Sequence, residues 1–244
     1  MKTSKHLSIL FAFLAVVGIA YGQDGTISGT VKFSGKPPDL KPFMVPAAFT
    51  GCGKEKSLER LIVSAKGGVE NAVVYIDGLK RKSGGSVKGG YLIDQKDCMY
   101  HPHLLVVAHG NSFFVENSDQ MFHNVHGYFE PTHATAFNIA EPVKGMKMEQ
   151  SVKKPGMYEI RCDVHPWMNG YVFVAGNGYA TKTDKEGEFT LSNVPPGKYK
   201  VVMWHEGWGT KLVGGRPHFS KPVEQTQEIT VTSGKTTTAD FTLK

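Results

Sequence analysis

The segment Cys162-Asp163-Val164-His165-Pro166-Trp167-Met168 carries a thiol, an imidazole and a thioether on one short stretch of chain. Upstream, Met121-Phe122-His123-Asn124-Val125-His126 offers further imidazoles. Thiolate and thioether sulfur suit Cu(I), imidazole suits both oxidation states of copper, and two His, one Cys and a weak axial Met form a set fitted to one-electron transfer. Zinc in structural sites takes Cys, His or carboxylate and rarely a thioether, so copper is the better match. The expected ligands are therefore His123, Cys162, His165 and Met168. His126 lies three residues beyond His123, and in a strand an odd spacing turns it to the other face. Met121 is on a different strand from the loop, which leaves Met168 as the preferred axial group. His101-Pro102-His103 would set two imidazoles on one strand face, a second metal site in principle, but is read as surface or packing histidines; His205 and His218 have no motif around them.

These groups need a rigid frame. With a period of two over 157–162, Tyr158, Ile160 and Cys162 point inward and Glu159 and Arg161 outward, so the thiol ends a strand facing a core. The next strand starts at Gly170, and His123 falls in a strand over 122–128. Further short strands at 91–94, 104–108, 112–116 and 150–152, broken by Gly, Asn or Asp, give the pattern of a small sandwich. Asn124, beside a ligand, is expected to tie the ligand loop to the histidine strand. Pro166 and Trp167 are expected to flank His165 at the protein surface as an apolar rim for electron entry and partner docking; core packing is the equal alternative for Trp167.

From about residue 89 to 174 these motifs resemble those of the cupredoxins, amicyanin and plastocyanin above all. The Cys162, His165 and Met168 spacing resembles the short amicyanin ligand loop, and 121–126 its upstream histidine strand. Asn111 stands where the family usually has an Asp in a Gly-Asp turn, a change that a turn tolerates. The resemblance implies a Greek-key β-sandwich holding one copper through the same four residues.

A second resemblance covers Thr183-Asp184-Lys185-Glu186-Gly187-Glu188-Phe189-Thr190-Leu191 and Pro195-Pro196-Gly197-Lys198-Tyr199, which are similar to the carboxypeptidase regulatory-like, or transthyretin-like, β-sandwiches. Such modules begin with strands of the type found upstream as Ile27-Ser28-Gly29-Thr30-Val31 and Ala72-Val73-Val74. The expected organisation is an all-β chain: residues 23–88 give the first strands of this sandwich, 89–175 an inserted cupredoxin, and 176–244 the remainder. The insertion accounts for the long excursion between the strands at 27–33 and 72–76. The resemblance implies a scaffolding or partner-binding role for this part.

Lys2 and Lys5, an apolar run over 7–20 and Ala20-Tyr21-Gly22 before Gln23 read as a signal peptide over 1–22. The run is too short to span a bilayer, so a periplasmic or secreted protein with no integral membrane segment is expected. Three cysteines remain; with Cys162 assigned to metal, Cys52 and Cys98 are left to pair in an oxidising compartment. The alternative has Cys162 pair with one of them. Twenty-eight glycines and thirteen prolines agree with many turns. The formal charge of +6 falls to +4 without the two leader lysines, and the basic residues are scattered except at Lys80-Arg81-Lys82. That argues against nucleic acid as a partner, although a basic surface can steer an acidic redox protein.

The expected function is thus an exported blue-copper electron carrier working between a redox donor and an acceptor protein. A copper-binding or partner-binding module for delivery, storage or sensing is the alternative. A copper nitrite reductase or oxidase would need an additional substrate-binding copper, for which the sequence has no convincing second cluster, so the chain is not read as an enzyme.

Overall fold

The computed structural model describes residues 23–79 and 90–244. The leader at 1–22, the basic run Lys80-Arg81-Lys82 and the 88/89 boundary lie outside them. Every regular element among the described residues is a strand, and no helix there is long and apolar enough to cross a membrane.

Two sandwiches share the chain. In the first, a five-stranded sheet runs in the order Ala134–Glu141, His123–Phe129, Gly156–Arg161, Asn169–Ala175, Leu104–Ala108. It faces a sheet of Lys147–Ser151, Ser112–Asn117, Leu92–Lys96 and Met99–His101. Asn169–Ala175 pairs parallel to Leu104–Ala108 and Leu92–Lys96 parallel to Ser112–Asn117. Parallel neighbours cannot be joined by hairpins, so the chain crosses between sheets in Greek-key fashion. Ile93, Phe113, Val115, Val125, Ile160 and Val172 fill the space between them. The 134–141 strand was not foreseen, because Ala134-Thr135-Ala136 presents only small or polar side chains and the strand lies at a sheet edge, where one face meets solvent.

The second sandwich is built from both ends of the chain. Gly25–Phe33 pairs with Glu188–Val194 on one side and with Thr236–Thr238 and Phe241–Leu243 on the other. Val73–Asp77 sits between Ala180–Lys182 and Gly197–His205, which in turn pairs with Val223–Val231. The sandwich is therefore discontinuous in sequence. Gly29 shows why the first strand carries glycine: a Cβ there would lie 1.9 Å from the Ala239 carbonyl oxygen.

The two sandwiches bury a common face. Met157, Tyr171 and Phe173 pack against Val73, Ala180 and Trp204, and all of Asn169–Ala175 is buried. This corrects the outward placement of Glu159, which is only 5% exposed. Alternation assumes one wet face, and here the other sandwich covers it. Glu159 is matched by Arg161 at 2.8 Å and by the Asn169 amide at 2.8 Å.

The long excursion has a structural task. Between the strands ending at Phe33 and starting at Val73, the chain forms one short hairpin, Phe43–Met44 with Glu55–Lys56, and isolated bridges at Gly68 and between Val63 and Val69. Phe43 and Cys52 enter the core of the first sandwich, and Val45, Phe49 and Leu58 pack against it. Cys52 is bonded to Cys98. Arg60 anchors the far end of this strap: its buried guanidinium donates to Asn169 Oδ1 at 2.8 Å and to the Glu206 and Gly207 carbonyls at 3.1 and 3.0 Å, and pairs with the Glu206 carboxylate. His103 reaches the same carboxylate.

Between the sheets of the first sandwich, Glu141 is fully buried and accepts from Gln95 Nε2. Burial raises its pKa to about 7, the Gln95 bond opposes this, and Asp94 and Glu116 add to the rise. A carboxyl with a raised folded pKa contributes stability that is complete below the unfolded value near 4.5 and is lost as pH rises through about 7. Relative to a Glu141→Gln variant, the copper-free protein should lose roughly 3 kcal/mol of unfolding free energy across that window, as read by urea unfolding at a series of pH values. Parallel curves for the two proteins would mean that Glu141 ionises freely in the fold.

Candidate metal centre

The candidate centre is assembled where two adjoining strands end. After Arg161 the chain leaves its strand and returns at Asn169, the two residues being register partners. The Cys162 amide donates to the Met168 carbonyl at 3.2 Å and the Met168 amide to the His165 carbonyl at 2.9 Å, which closes the loop tightly. His123 opens the neighbouring strand. The donor atoms of His123, Cys162 and His165 lie within 4.8 Å of one another, and all three side chains are buried. The two Nδ1 atoms are 3.0 Å apart, and His165 Nδ1 is 3.6 Å from the Cys162 sulfur.

These groups are held neutral. Burial, and then the neighbouring His123, lower the His165 pKa to about 4. Burial also lowers that of His123, although Asp119 works against it. Burial pushes the Cys162 thiol up, against the pull of hydrogen bonds from the Asn124, His165 and Val164 backbone. Two neutral imidazoles and a buried thiol turned on one another form a pocket that a cation would complete, because the cation stabilises the thiolate that burial disfavours. The donor chemistry fits copper.

Asp119, four residues before His123, went unnoticed in the sequence. It accepts from His123 Nε2 at 2.9 Å and from the amides of Asp97 and Cys98 at 2.8 Å each. Burial would raise its carboxyl, but the Cys98 amide, His123 and the Asp97 amide together hold it below the ordinary range. Fixing the proton on Nε2 leaves Nδ1 free to ligate. Asp119→Asn should therefore weaken copper binding by roughly 10- to 100-fold, measured by competition with a chelator of known affinity; unchanged affinity would reduce Asp119 to a turn cap.

Asn124 bridges strand and loop. Its Nδ2 donates to Asp163 Oδ2 at 2.7 Å and its Oδ1 accepts from the Asp163 amide at 2.7 Å. His126 faces away from the centre and contacts Asp163 at 3.1 Å. Met168 is buried in the same core as Cys162 and Trp167. Met121 instead rests on the disulfide, with Sδ 3.5 Å from the Cys52 sulfur and 3.4 Å from that of Cys98. His101 and His103 do not meet at a site: the strand ends at His101, which is exposed, while His103 turns inward to Glu206.

Of the two placements open for Trp167 the structure takes core packing, and the surface placement of the His165 edge is corrected. Trp167 is completely buried and His165 is 4% exposed; Pro166 is half-buried. Phe43 stacks on Trp167 at 5.5 Å, Phe49 meets Trp167 edge-on at 5.0 Å and covers His165 at 5.3 Å, and the Trp167 indole N–H donates to the Cys98 carbonyl at 3.0 Å. The strap supplies the two phenylalanines of this cover. The apolar side chains left exposed beside the ligands are Phe122 at 40% and Val164 at 42%.

Residues 168–244 match the family model of the carboxypeptidase regulatory-like domain. No curated protein matches the chain. Among solved structures, a purple cupredoxin from Nitrosopumilus maritimus is 21% identical, with a TM-score of 0.30, over 35% of this chain and 99% of its own. A reduced amicyanin variant is 26% identical, with a TM-score of 0.32, over 36% of this chain and 86% of its own. A copper-containing nitrite reductase from Thermus scotoductus is 17% identical, with a TM-score of 0.30, over 41% of this chain and 25% of its own. The chain thus pairs a C-terminal stretch that matches the carboxypeptidase regulatory-like family with structural neighbours that are cupredoxins.

Proposed function

We propose that the protein binds one copper ion between His123, Cys162, His165 and Met168 and carries single electrons between protein partners in an exported compartment. The observation that carries this reading is the convergence of two imidazole Nδ1 atoms and one thiol sulfur, all buried and within 4.8 Å, on adjoining strand ends. Copper supplies a one-electron couple to such a set. The residues of the chain do the rest. Sheet pairing fixes the positions of His123 and of the loop ends, Asp119 orients His123, Asn124 clamps the loop to its neighbour, and the strap excludes water. A frame that does not rearrange keeps the cost of each electron transfer low. The export signal read at 1–22 and the disulfide favour an oxidising compartment. No catalytic role is proposed.

With the His165 edge closed, electrons would enter beside Phe122 and Val164, the exposed apolar side chains that flank His123 and His165. The same closure favours a second reading, in which the centre stores or delivers copper without redox turnover. Voltammetry of the copper-loaded protein separates them. A reversible one-electron wave with rapid exchange to a small redox protein supports the carrier; loss of copper on each reduction supports delivery.

A further inference from the structure

The strap disulfide abuts the candidate metal centre. The sulfurs of Cys52 and Cys98 and a ring nitrogen of His165 lie within 4.8 Å of one another, and the Met121 thioether sits 3.5 and 3.4 Å from the two sulfurs. Disulfide sulfurs carry no proton, so these contacts are sulfur packed on sulfur. We propose that, once this disulfide is reduced, Cys52, Cys98 and Met121 form a second site, selective for Cu(I) and separate from the one built on Cys162.

Soft thiolate and thioether donors select Cu(I). Three sulfurs each about 2.3 Å from a central ion stand about 4 Å from one another. The two Met121 edges of the triangle therefore need to lengthen by only about half an ångström, while breaking the bond lets the cysteines part. The surroundings hold Met121 in this position. Gly51 makes room for it, since a Cβ there would lie 2.2 Å from the Met121 methyl carbon, and Asn117 Nδ2 donates to the Met121 carbonyl at 2.8 Å. Asp119 braces the Cys98 amide. Cys52 alone rides on the strap, whose backbone bonds Val45 to Lys54, Phe49 to Pro46 and Cys52 to Phe49 are internal to it. The hairpin that carries Cys52 adds no strand to the sheets of either sandwich, so it can open locally without breaking them and admit a reductant.

The chemistry balances with a dithiol as reductant. Its thiolate attacks one cysteine sulfur, the protein disulfide breaks, and a mixed disulfide forms; the second thiol of the reductant then displaces the remaining protein thiol. The reductant leaves as a disulfide, having supplied two electrons and two protons. Cu(I) binding displaces the two thiol protons with no change in its oxidation state. His165 borders both sites, so an ion held by the three sulfurs is one ligand exchange from the Cys162 centre.

The test uses the full-length Cys162→Ser protein, so that its failure leaves the reading of the first centre untouched. The protein, either reduced with a dithiol and desalted without oxygen or left oxidised, is titrated with Cu(I) against a coloured chelator. The reduced form should hold one Cu(I) per chain with an X-ray absorption shell of three sulfurs, and the oxidised form none. Adding Met121→Leu, which spares both cysteines, should weaken binding by at least roughly tenfold. Equal binding in the oxidised and reduced forms, no binding after reduction, a shell without the third sulfur, no effect of Met121→Leu, or loss of the β-sheet circular dichroism on reduction would each overturn the proposal.

Discussion

A Cys162→Ser protein loaded with Cu(II) is expected to lose the intense visible absorption and the narrow copper hyperfine splitting of the parent, and to hold copper more than roughly a hundredfold less tightly. Both spectral features come from a short, covalent bond between copper and thiolate. Serine keeps the volume but not the chemistry, because a buried hydroxyl does not ionise near neutrality and offers a hard oxygen in place of a soft sulfur. The effect on affinity should exceed that of Asp119→Asn, since an atom on the metal is lost rather than one that orients a ligand. The sheet frame does not depend on the thiol, so the variant should keep its fold. A colourless parent protein, or a spectrum that the substitution leaves alone, would end the electron-carrier reading and leave a binding module in its place.

Arg60→Ala should cost the copper-free protein about 3–5 kcal/mol of unfolding free energy. The guanidinium is 2% exposed and meets a side chain of the first sandwich, Asn169, and backbone of the second, at Glu206 and Gly207, while standing on the strap. Its removal leaves the Glu206 carboxylate buried with His103 as its remaining side-chain partner among the described residues, and a buried charge without its partner is the expensive case. Urea unfolding measures the loss. A cycle with Glu206→Gln tests the cause, because the second substitution should then cost much less than it does alone. Limited proteolysis adds a local reading: cleavage within 38–58 should accelerate more than cleavage in either sandwich. A loss below about 1 kcal/mol would mean that the ion pair does not hold the strap.

Strand period and turn residues were enough to read the first sandwich from the sequence, because one-sided burial writes itself as alternation, whereas the discontinuous second sandwich was legible only through its resemblance to a known family. That logic failed at Glu159, where the second sandwich buries the face that alternation assigns to solvent, and at the 134–141 strand, whose start shows no apolar alternation. The cysteine, histidine and methionine donors stood out because soft sulfur beside imidazole has few other uses. Asp119 did not, since a carboxylate in a Ser-Asp turn looks like any turn. The strap was the largest omission. Pro42, Pro46 and Gly51-Cys52-Gly53 read as irregular chain, and nothing local told where Phe43 and Phe49 would pack. Tertiary contact with Trp167 and His165 decided that, and it turned an expected docking edge into a covered one.

The pairing of Gly25–Phe33 with Glu188–Val194 also sets an order of assembly. A chain made from its N-terminus brings out Gly25–Phe33 long before the partners that flank it. The strands of the first sandwich emerge in the interval and have most of their partners among themselves, so that sandwich can fold first. Meanwhile the opening strand waits with both edges bare, the state most prone to join a neighbouring chain. Final closure of the second sandwich depends on Phe241–Leu243, where Phe33 aligns with Leu243. A chain lacking Phe241–Leu243 would carry a folded first sandwich on an unfinished second one.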